Sequence, residues 1–256
     1  MSIHQALMAG YANPMIVVDS ADFDGTNDYM TRGADLTGTA DSKRGIISYW
    51  LRIDGMISNH CVLFGATTLA GSTSRFRAGW GFTSTTISVL ARNAAGTDIL
   101  DLTTASLFST GATWLHFLSS WDLATAGARS IYINDVSDLS EVTFTNDSID
   151  YTLADWSVGA FASGTSKFNG CVADLYFAPG QYLDFSLVYN RRKFISASGK
   201  PVHLGTTGAL PTGTAPIVYQ HLADAETVAD FATNRGTGGN FSITGTLETG
   251  STSPSD

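Results

Sequence analysis

The stretch GIISYWLRID, from Gly45 to Asp54, decides the fold. Successive side chains on a β-strand point to opposite faces, so the stretch divides into two sets of residues. The first set is Ile47, Tyr49 and Leu51, and the second is Ile46, Ser48, Trp50 and Arg52. This period of two predicts a β-strand at this position.

The same alternation continues along the chain as far as Phe177. Four more short stretches show it, namely RFRAGWGF (75–82), TISVLARN (86–93), TWLHFLSSWD (113–122) and RSIYIND (129–135). Turn-rich stretches lie between the strand-like segments, namely NAAG (93–96), LATAG (123–127) and ASGTSKFNG (162–170). Asn and Gly tolerate the left-handed conformations that tight turns demand. Short strands joined by such turns predict an antiparallel β-sandwich.

The composition supports one large all-β domain. The 256 residues are 43% apolar, 11% aromatic and only 14% charged, and 26 of them are glycine. The apolar share is enough for a sizeable core, and a surface of Thr, Ser, Asn and Gly suits strands and turns better than helices. The net charge of -9 and the pI near 4.8 disfavour attraction to nucleic acid or to anionic membranes, so we predict neither as a partner.

The sequence shows no targeting segment. Its first 20 residues contain no Lys or Arg, and the run MIVVDS (15–20) is too short for the apolar core of a secretory signal. No run approaches the ~20 apolar residues that a membrane helix needs. We therefore expect synthesis in the cytoplasm.

Cysteines and basic residues allow two further predictions. Cys61 and Cys171 each begin an apolar run, which favours two buried thiols, although a single disulfide between them stays open. Arg191, Arg192 and Lys193 form a basic cluster, which we interpret as a solvated helix face rather than a binding patch.

One short helix is predicted in LVYNRRKFIS (187–196). Asp184 or Ser186 can cap its start, and Gly199 followed by Pro201 marks its end. A second brief helical turn is predicted from Asp224 in DAETVADF. The stretch FSITGTL (241–247) is predicted to be the last strand.

Six pieces of the sequence, taken together, resemble the laminin G-like and concanavalin A-like jelly rolls. In chain order they are FDGTNDYM (23–30), SYWLRID (48–54), TWLHFLSSWD (113–122), SIYIND (130–135), WSVGA (156–160) and KFNGCVADLYF (167–177). The resemblance implies an all-β, antiparallel jelly-roll β-sandwich of the concanavalin A-like type, with one short helix and a Gly/Thr-rich C-terminal extension. The expected division is an N-terminal arm (1–19), a laminin G-like jelly roll (20–182) and a C-terminal extension packed on the sandwich (183–256).

The segments 184–220 and 231–247 resemble the C-terminal part of structural proteins of tailed bacteriophages. This resemblance implies a virion-associated structural protein, either a capsid decoration protein or a tail or fibre component, made in the host cytoplasm and exposed on the particle. Its expected partners are other virion proteins, copies of itself in a homo-oligomer, and host surface polysaccharide. The alternative is a stand-alone carbohydrate-binding, lectin-like module.

A polysaccharide-degrading enzyme is a third and less favoured alternative. Retaining hydrolases need two carboxylates about 5 Å apart, and the hydrolases of this fold carry two glutamates flanking an aspartate on one strand. The chain has three glutamates, Glu141, Glu226 and Glu248, and none has such a neighbour. The spacing of Asp98 and Asp101 places them on opposite faces of a strand. We therefore predict no catalytic residue and no enzymatic activity.

A carbohydrate site needs only an aromatic platform and a few polar groups in a shallow groove. Trp80, Trp121 and Trp156 are the candidate platforms, although each taken singly is better explained as a core residue. Trp80 has glycine on both sides and lies near Arg77. We predict that Trp80 is exposed and that it binds carbohydrate together with Arg77.

The stretch DFDGTNDYM, from Asp22 to Met30, has the acidic residues of a calcium loop. The sixth position of an EF-hand loop would hold Asn27 where glycine is required, and the twelfth would hold Gly33 where glutamate is required. We therefore interpret the stretch as a hairpin that turns from Gly25 to Asn27, with Phe23 pointing inward and Tyr29 entering the next strand. Laminin G-like folds can hold a structural calcium ion elsewhere, but we predict no metal and no other cofactor.

Overall fold

The computed structural model describes residues 18–55, 61–66, 75–81, 85–223 and 226–256. Residues 1–17 of the predicted N-terminal arm therefore lie outside the described residues. The strands are β1 (Ala21–Asp24), β2 (Tyr29–Thr31), β3 (Arg44–Gly55), β4 (Cys61–Ala66), β5 (Phe76–Trp80), β6 (Ile87–Arg92), β7 (Asp98–Thr104), β8 (Leu115–Asp122), β9 (Arg129–Ile133), β10 (Val136–Ser137), β11 (Leu139–Phe144), β12 (Trp156–Val158), β13 (Asn169–Pro179), β14 (Val218–Gln220), β15 (Ser242–Thr244) and β16 (Glu248–Thr249). They are accompanied by a short α-helix, α1 (Val188–Arg191), and a 3₁₀ helix (Val228–Ala232).

The strands form two sheets, and every pairing between them is antiparallel. The first sheet has the order β10-β9-β8-β3-β13-β1-β16, and β14 also pairs with β13. The second sheet has the order β11-β7-β6-β5-β4-β12-β2-β15. Their inner faces enclose one large apolar core. The predicted all-β antiparallel sandwich is confirmed.

Strand β3 shows how the alternation is used. Ile47, Tyr49 and Leu51 point into the core between the sheets, as the period of two predicted. The opposite set is buried as well, because residues of the C-terminal third cover the outer face of the first sheet. The apolar residues that form this cover include Phe185, Phe194, Val202, Leu204 and Tyr219. A central strand with both faces buried is the result.

The centre of the core is aromatic. Phe177 on β13 lies between four other rings, with centroid distances of 5.1 Å to Phe64, 4.9 Å to Phe76, 5.7 Å to Tyr151 and 5.3 Å to Trp156. Trp121 is also fully buried, and its Nε1 donates a hydrogen bond to the Tyr151 hydroxyl at 3.1 Å. The interpretation of Trp121 and Trp156 as core residues is confirmed.

The predicted hairpin at DFDGTNDYM is wrong. The chain turns at Gly25, whose φ is 71°, and Phe23 is fully buried as predicted. However, β1 pairs with β13 in the first sheet, whereas β2 pairs with β12 in the second. The stretch is therefore a crossover between the two sheets, because each strand finds its partner in a distant part of the chain.

The C-terminal segment contributes to both sheets. β14 and β16 extend the first sheet, and β15 extends the second. The strand predicted in FSITGTL (241–247) is β15, but it is not the last, since the chain turns at Gly245, whose φ is 83°, and continues into β16. The segment after residue 183 therefore supplies strands as well as the outer cover.

The predicted short helix is present, but it begins and ends differently. Helix α1 is a single turn whose N-cap, Leu187, makes no side-chain capping bond, and Asp184 instead accepts a hydrogen bond from the Ser186 amide. The predicted second helical turn is the 3₁₀ helix, which is capped by Thr227 and Asp230. Asp224, the residue at which we predicted its start, lies outside the described residues.

Two smaller predictions have different outcomes. Cys61 and Cys171 are buried thiols that form no disulfide, as favoured. The solvated basic face is wrong, because Arg191 and Arg192 both bind the Asp135 carboxylate, at 2.5 Å and 2.6 Å, and Arg191 is buried. Among the described residues, no helix is long and apolar enough to cross a membrane.

Candidate functional site

Trp80 does not provide an exposed platform. It is 1% exposed, and its Nε1 donates hydrogen bonds to the carbonyl oxygens of Thr85 and Phe108, both at 3.0 Å. The prediction that Trp80 is exposed is wrong, because the segments around Thr85 and Phe108 cover the indole. Arg77 lies three positions earlier on β5, so its side chain points to the opposite, outer face of the second sheet. The two residues do not line a common surface.

Trp114 is the tryptophan that reaches the surface. The other four of the five tryptophans are buried, whereas Trp114 is partly exposed. It directly precedes β8 and points to the outer face of the first sheet, whereas Trp121, seven positions later on β8, points into the core. Sequence reasoning passed over Trp114, although the alternation in TWLHFLSSWD already placed these two tryptophans on opposite faces.

Trp114 lines a groove of about 460 Å³, which we call the tryptophan groove. Six of its lining residues are Trp50, Trp114, Asn134, Lys200, Thr252 and Ser253. They come from β3, from both ends of the β8–β9 hairpin, from the segment after α1 and from the C-terminal segment. The groove therefore combines an aromatic surface with an amide, an ammonium group and hydroxyls.

The orientation of the Trp114 indole is fixed by its neighbours. Its Nε1 donates a hydrogen bond to Thr252 Oγ1 at 3.2 Å, and the Arg52 guanidinium lies 6.0 Å from the ring centroid. Arg52 also donates to Thr252 Oγ1, at 2.5 Å, and to both carboxylate oxygens of Asp54, each at 2.7 Å. A cation held in place over an aromatic face is attracted to that face. One side of the indole is thus occupied by the protein.

Trp50 forms the buried wall of the groove. Its ring packs on the His116 ring with centroids 4.6 Å apart, and His116 Nε2 forms a hydrogen bond with Ser48 Oγ at 2.9 Å. Burial lowers the pKa of His116 to about 3, so this imidazole is neutral at physiological pH. His116 is thus a buried strand residue whose Nε2 is hydrogen-bonded.

The acidic residues of DFDGTNDYM form a separate pocket. Asp22, Asp24, Asn27 and Asp28 line it together with Thr246 and Glu248, and its volume is about 280 Å³. Ligand atoms of Asp22, Asp54 and Cys171 lie within 4.8 Å of one another. Arg52 already neutralises Asp54, and burial raises the pKa of the Cys171 thiol to about 12. We assign no cation to Asp22, Asp54 and Cys171.

Replacing Asp22 by asparagine is expected to raise the stability of the protein at pH 7. Burial, and then the charge of Asp54, raise the pKa of Asp22 in the folded state, so ionised Asp22 opposes folding. The stability that its protonated form contributes is lost as the pH rises through the folded pKa. The gain in Asp22→Asn should stay below about 1 kcal/mol, because solvent screens this partly exposed carboxyl.

Urea denaturation at several pH values measures this effect. The difference between Asp22→Asn and the unmodified protein should shrink as the pH falls below the ordinary value of 3.8. Asp35→Asn, at an exposed carboxyl outside the pocket, should change little at any pH. A lower stability of Asp22→Asn than of the unmodified protein at pH 7 would contradict the raised pKa of Asp22.

Two of the remaining acidic candidates form ion pairs. Asp98 pairs with Arg92, and Glu226 pairs with Arg235 at 2.5 Å. Burial raises the pKa of Asp101, and the nearby Arg77 lowers it in part. The absence of enzymatic activity stays a prediction.

No protein-family model and no curated protein matches this sequence. Solved structures do match it, and a candidate carbohydrate-binding protein from Bacteroides ovatus ATCC 8483 aligns with a TM-score of 0.60 at 13% identity. That alignment covers 93% of this chain and 60% of the other, so this chain spans less than two thirds of the Bacteroides protein.

Two further structures align less closely. A SAP-like pentraxin from Limulus polyphemus has a TM-score of 0.47 at 12% identity, covering 68% of this chain and 82% of the other. Mouse laminin α1 domains LG4-5 have a TM-score of 0.39 at 16% identity, covering 67% and 44%. At these identities the likeness concerns the fold alone. The predicted jelly-roll sandwich is confirmed. None of these structural neighbours supports the resemblance to phage structural proteins.

Proposed function

We propose that this protein is a glycan-binding module and that its tryptophan groove receives the sugar. The observation that carries the proposal is the position of Trp114, a partly exposed indole whose orientation is fixed by Arg52 and Thr252 at the edge of a polar groove. Sugar rings present apolar C–H faces as well as hydroxyls. An aromatic ring beside a few polar groups suits both, because the ring accepts the apolar face and the polar groups bind the hydroxyls.

The polar groups of the groove have defined roles in this proposal. Asn134 Oδ1 accepts a hydrogen bond from the His116 amide at 2.7 Å, so the Asn134 Nδ2 group is the part that can donate to a sugar hydroxyl. Lys200 Nζ donates to the carbonyl oxygen of Asp256 and has further protons for a ligand oxygen. The fold of the Bacteroides protein, itself a candidate carbohydrate-binding protein, adds support by analogy only.

A glycan array with the unmodified protein and with Trp114→Ala tests the proposal. We expect at least about a tenfold loss of affinity in Trp114→Ala, because the platform for the sugar ring is removed. Trp114→Phe should retain part of the binding, and Tyr189→Ala, at a half-exposed tyrosine outside the groove, should retain all of it. The Tm of each variant shows whether it is folded.

Two results would contradict the proposal. One is an unmodified protein that binds no glycan on the array, and the other is equal binding by folded Trp114→Ala. Association with a phage particle stays a prediction, which mass spectrometry of purified particles can check. Homo-oligomerisation and a cytoplasmic origin stay predictions as well.

A further inference from the structure

A second groove lies on the same outer face of the first sheet, at the other end of the β8–β9 hairpin. We call it the tyrosine groove, and its volume is about 330 Å³. The lining residues that matter here are Arg129, Ser130, Tyr132, Ser137, Tyr182 and Asp184. It lies between the turn that joins β8 to β9 and the segment that leads into α1.

The side chains of the tyrosine groove have the chemistry that suits a sugar. Tyr132 and Tyr182 provide aromatic rings, Asp184 provides a carboxylate, and Ser130 provides a hydroxyl. Burial, then the charge of Asp184, raises the pKa of Tyr182, so its hydroxyl stays protonated and can donate. Rings beside carboxylate and hydroxyl groups match the alternation of apolar and polar surface on a sugar.

This groove is held in shape by hydrogen bonds beneath it. Ser120 Oγ donates to the Leu183 carbonyl at 2.8 Å and lies 3.1 Å from Ser130 Oγ. The Arg191 guanidinium lies 4.5 Å from the centroid of the Tyr132 ring. The segment that carries Tyr182 is therefore fixed to the sheet, and the groove exists before any ligand binds.

The two grooves are neighbours along β9. Ser130 and Tyr132 on this strand line the tyrosine groove, and Asn134, just after it, lines the tryptophan groove. At the rise of a β-strand, Ser130 and Asn134 are roughly 13 Å apart. The Asp135 carboxylate, next to Asn134, binds Arg191 at 2.5 Å and Arg192 at 2.6 Å, and the Arg191 guanidinium also lies against the Tyr132 ring of the tyrosine groove.

From this arrangement we infer that the protein binds an extended polysaccharide chain, which crosses both grooves, rather than a terminal monosaccharide. The inference rests on the proposed glycan-binding function and specifies the substrate class. Two weak sites joined by one ligand bind it more tightly than either site alone, because the second contact is intramolecular. The tryptophan groove supplies one subsite and the tyrosine groove the other.

Isothermal titration calorimetry against oligosaccharides of increasing length tests the inference. The probes are the mono-, di-, tetra- and hexasaccharides of β-1,4-glucan, β-1,4-mannan, β-1,4-xylan and α-1,4-glucan. For at least one series we expect affinity to rise by about tenfold or more from the disaccharide to the hexasaccharide. Trp114→Ala and Tyr182→Ala should each remove most of that gain.

Control variants separate the subsite role of Tyr182 from a role in folding. Tyr182→Phe keeps the ring and should keep most of the gain, and Tyr189→Ala should keep all of it, with the Tm of each variant as the check on folding. Equal affinity for all lengths, or a hexasaccharide affinity that Trp114→Ala lowers and Tyr182→Ala does not, would overturn the inference and leave the proposed function intact. No binding to any of the four series would count against both.

Discussion

Replacing Gly170 by alanine is expected to lower the free energy of unfolding by about 3 kcal/mol or more. Gly170, the second residue of β13, has a φ of 148°, which residues with side chains rarely adopt. An added Cβ would lie closer than 3.0 Å to the carbonyl oxygen of Arg52 on β3, a separation that real Cβ atoms essentially never show. Because the obstacle is backbone, relief would require β3 and β13 to separate at the centre of the first sheet.

Urea denaturation followed by circular dichroism measures this loss, and two other glycines serve as controls. Gly199→Ala carries the cost of a positive φ, 75°, without a clash, and Gly111→Ala carries neither. We therefore expect a small loss for Gly199→Ala and almost none for Gly111→Ala. If Gly170→Ala were no less stable than Gly199→Ala, the close approach of β3 to β13 would be wrong.

Replacing Phe177 by alanine is expected to cost about 3 to 5 kcal/mol. The Phe177 ring is fully buried between Phe64, Phe76, Tyr151 and Trp156, so the substitution removes a large apolar surface and leaves a cavity. The four surrounding rings are large and belong to different segments of the chain, so they can close the cavity only in part.

Thermal and urea unfolding of Phe177→Ala and Phe177→Leu test this expectation. Phe177→Leu keeps much of the volume and should lose clearly less than Phe177→Ala. Val136→Ala serves as the surface control, since Val136 is 68% exposed, and it should change stability little. Equal stability of Phe177→Ala and the unmodified protein would mean that this ring is not at the centre of the core.

Much of the fold was predictable because β-strand alternation is a local property. Ile47, Tyr49 and Leu51 point into the core as the period of two required, and turn glycines such as Gly127 have the positive φ expected of them. The connection at Gly25 was predicted as a turn for the same reason. The pairing partners of the two strands that it joins were not predictable. β1 pairs with β13 and β2 with β12, and both partners lie more than 120 residues further along the chain.

The candidate site, unlike the strands, was mostly not predictable from the sequence. Trp80 looked exposed because glycines flank it, but its environment depends on Thr85 and Phe108, whose carbonyl oxygens bind the indole. Trp114 looked like any strand tryptophan, and its exposure depends on how Thr252, 138 residues later, lies against it. The basic cluster at Arg191 was predicted to be solvated. Its charge is instead paired with Asp135, which lies in the turn between β9 and β10.

The sequence by itself determined the fold class, the strands and which side chains share a strand face, because these follow from backbone geometry over a few residues. Tertiary structure alone decided which sheet each strand joins, which tryptophan remains at the surface and which polar groups surround it. Those outcomes depend on contacts between residues far apart in the chain. The alternation of residues in one strand does not predict which distant segment of the chain will pack against it.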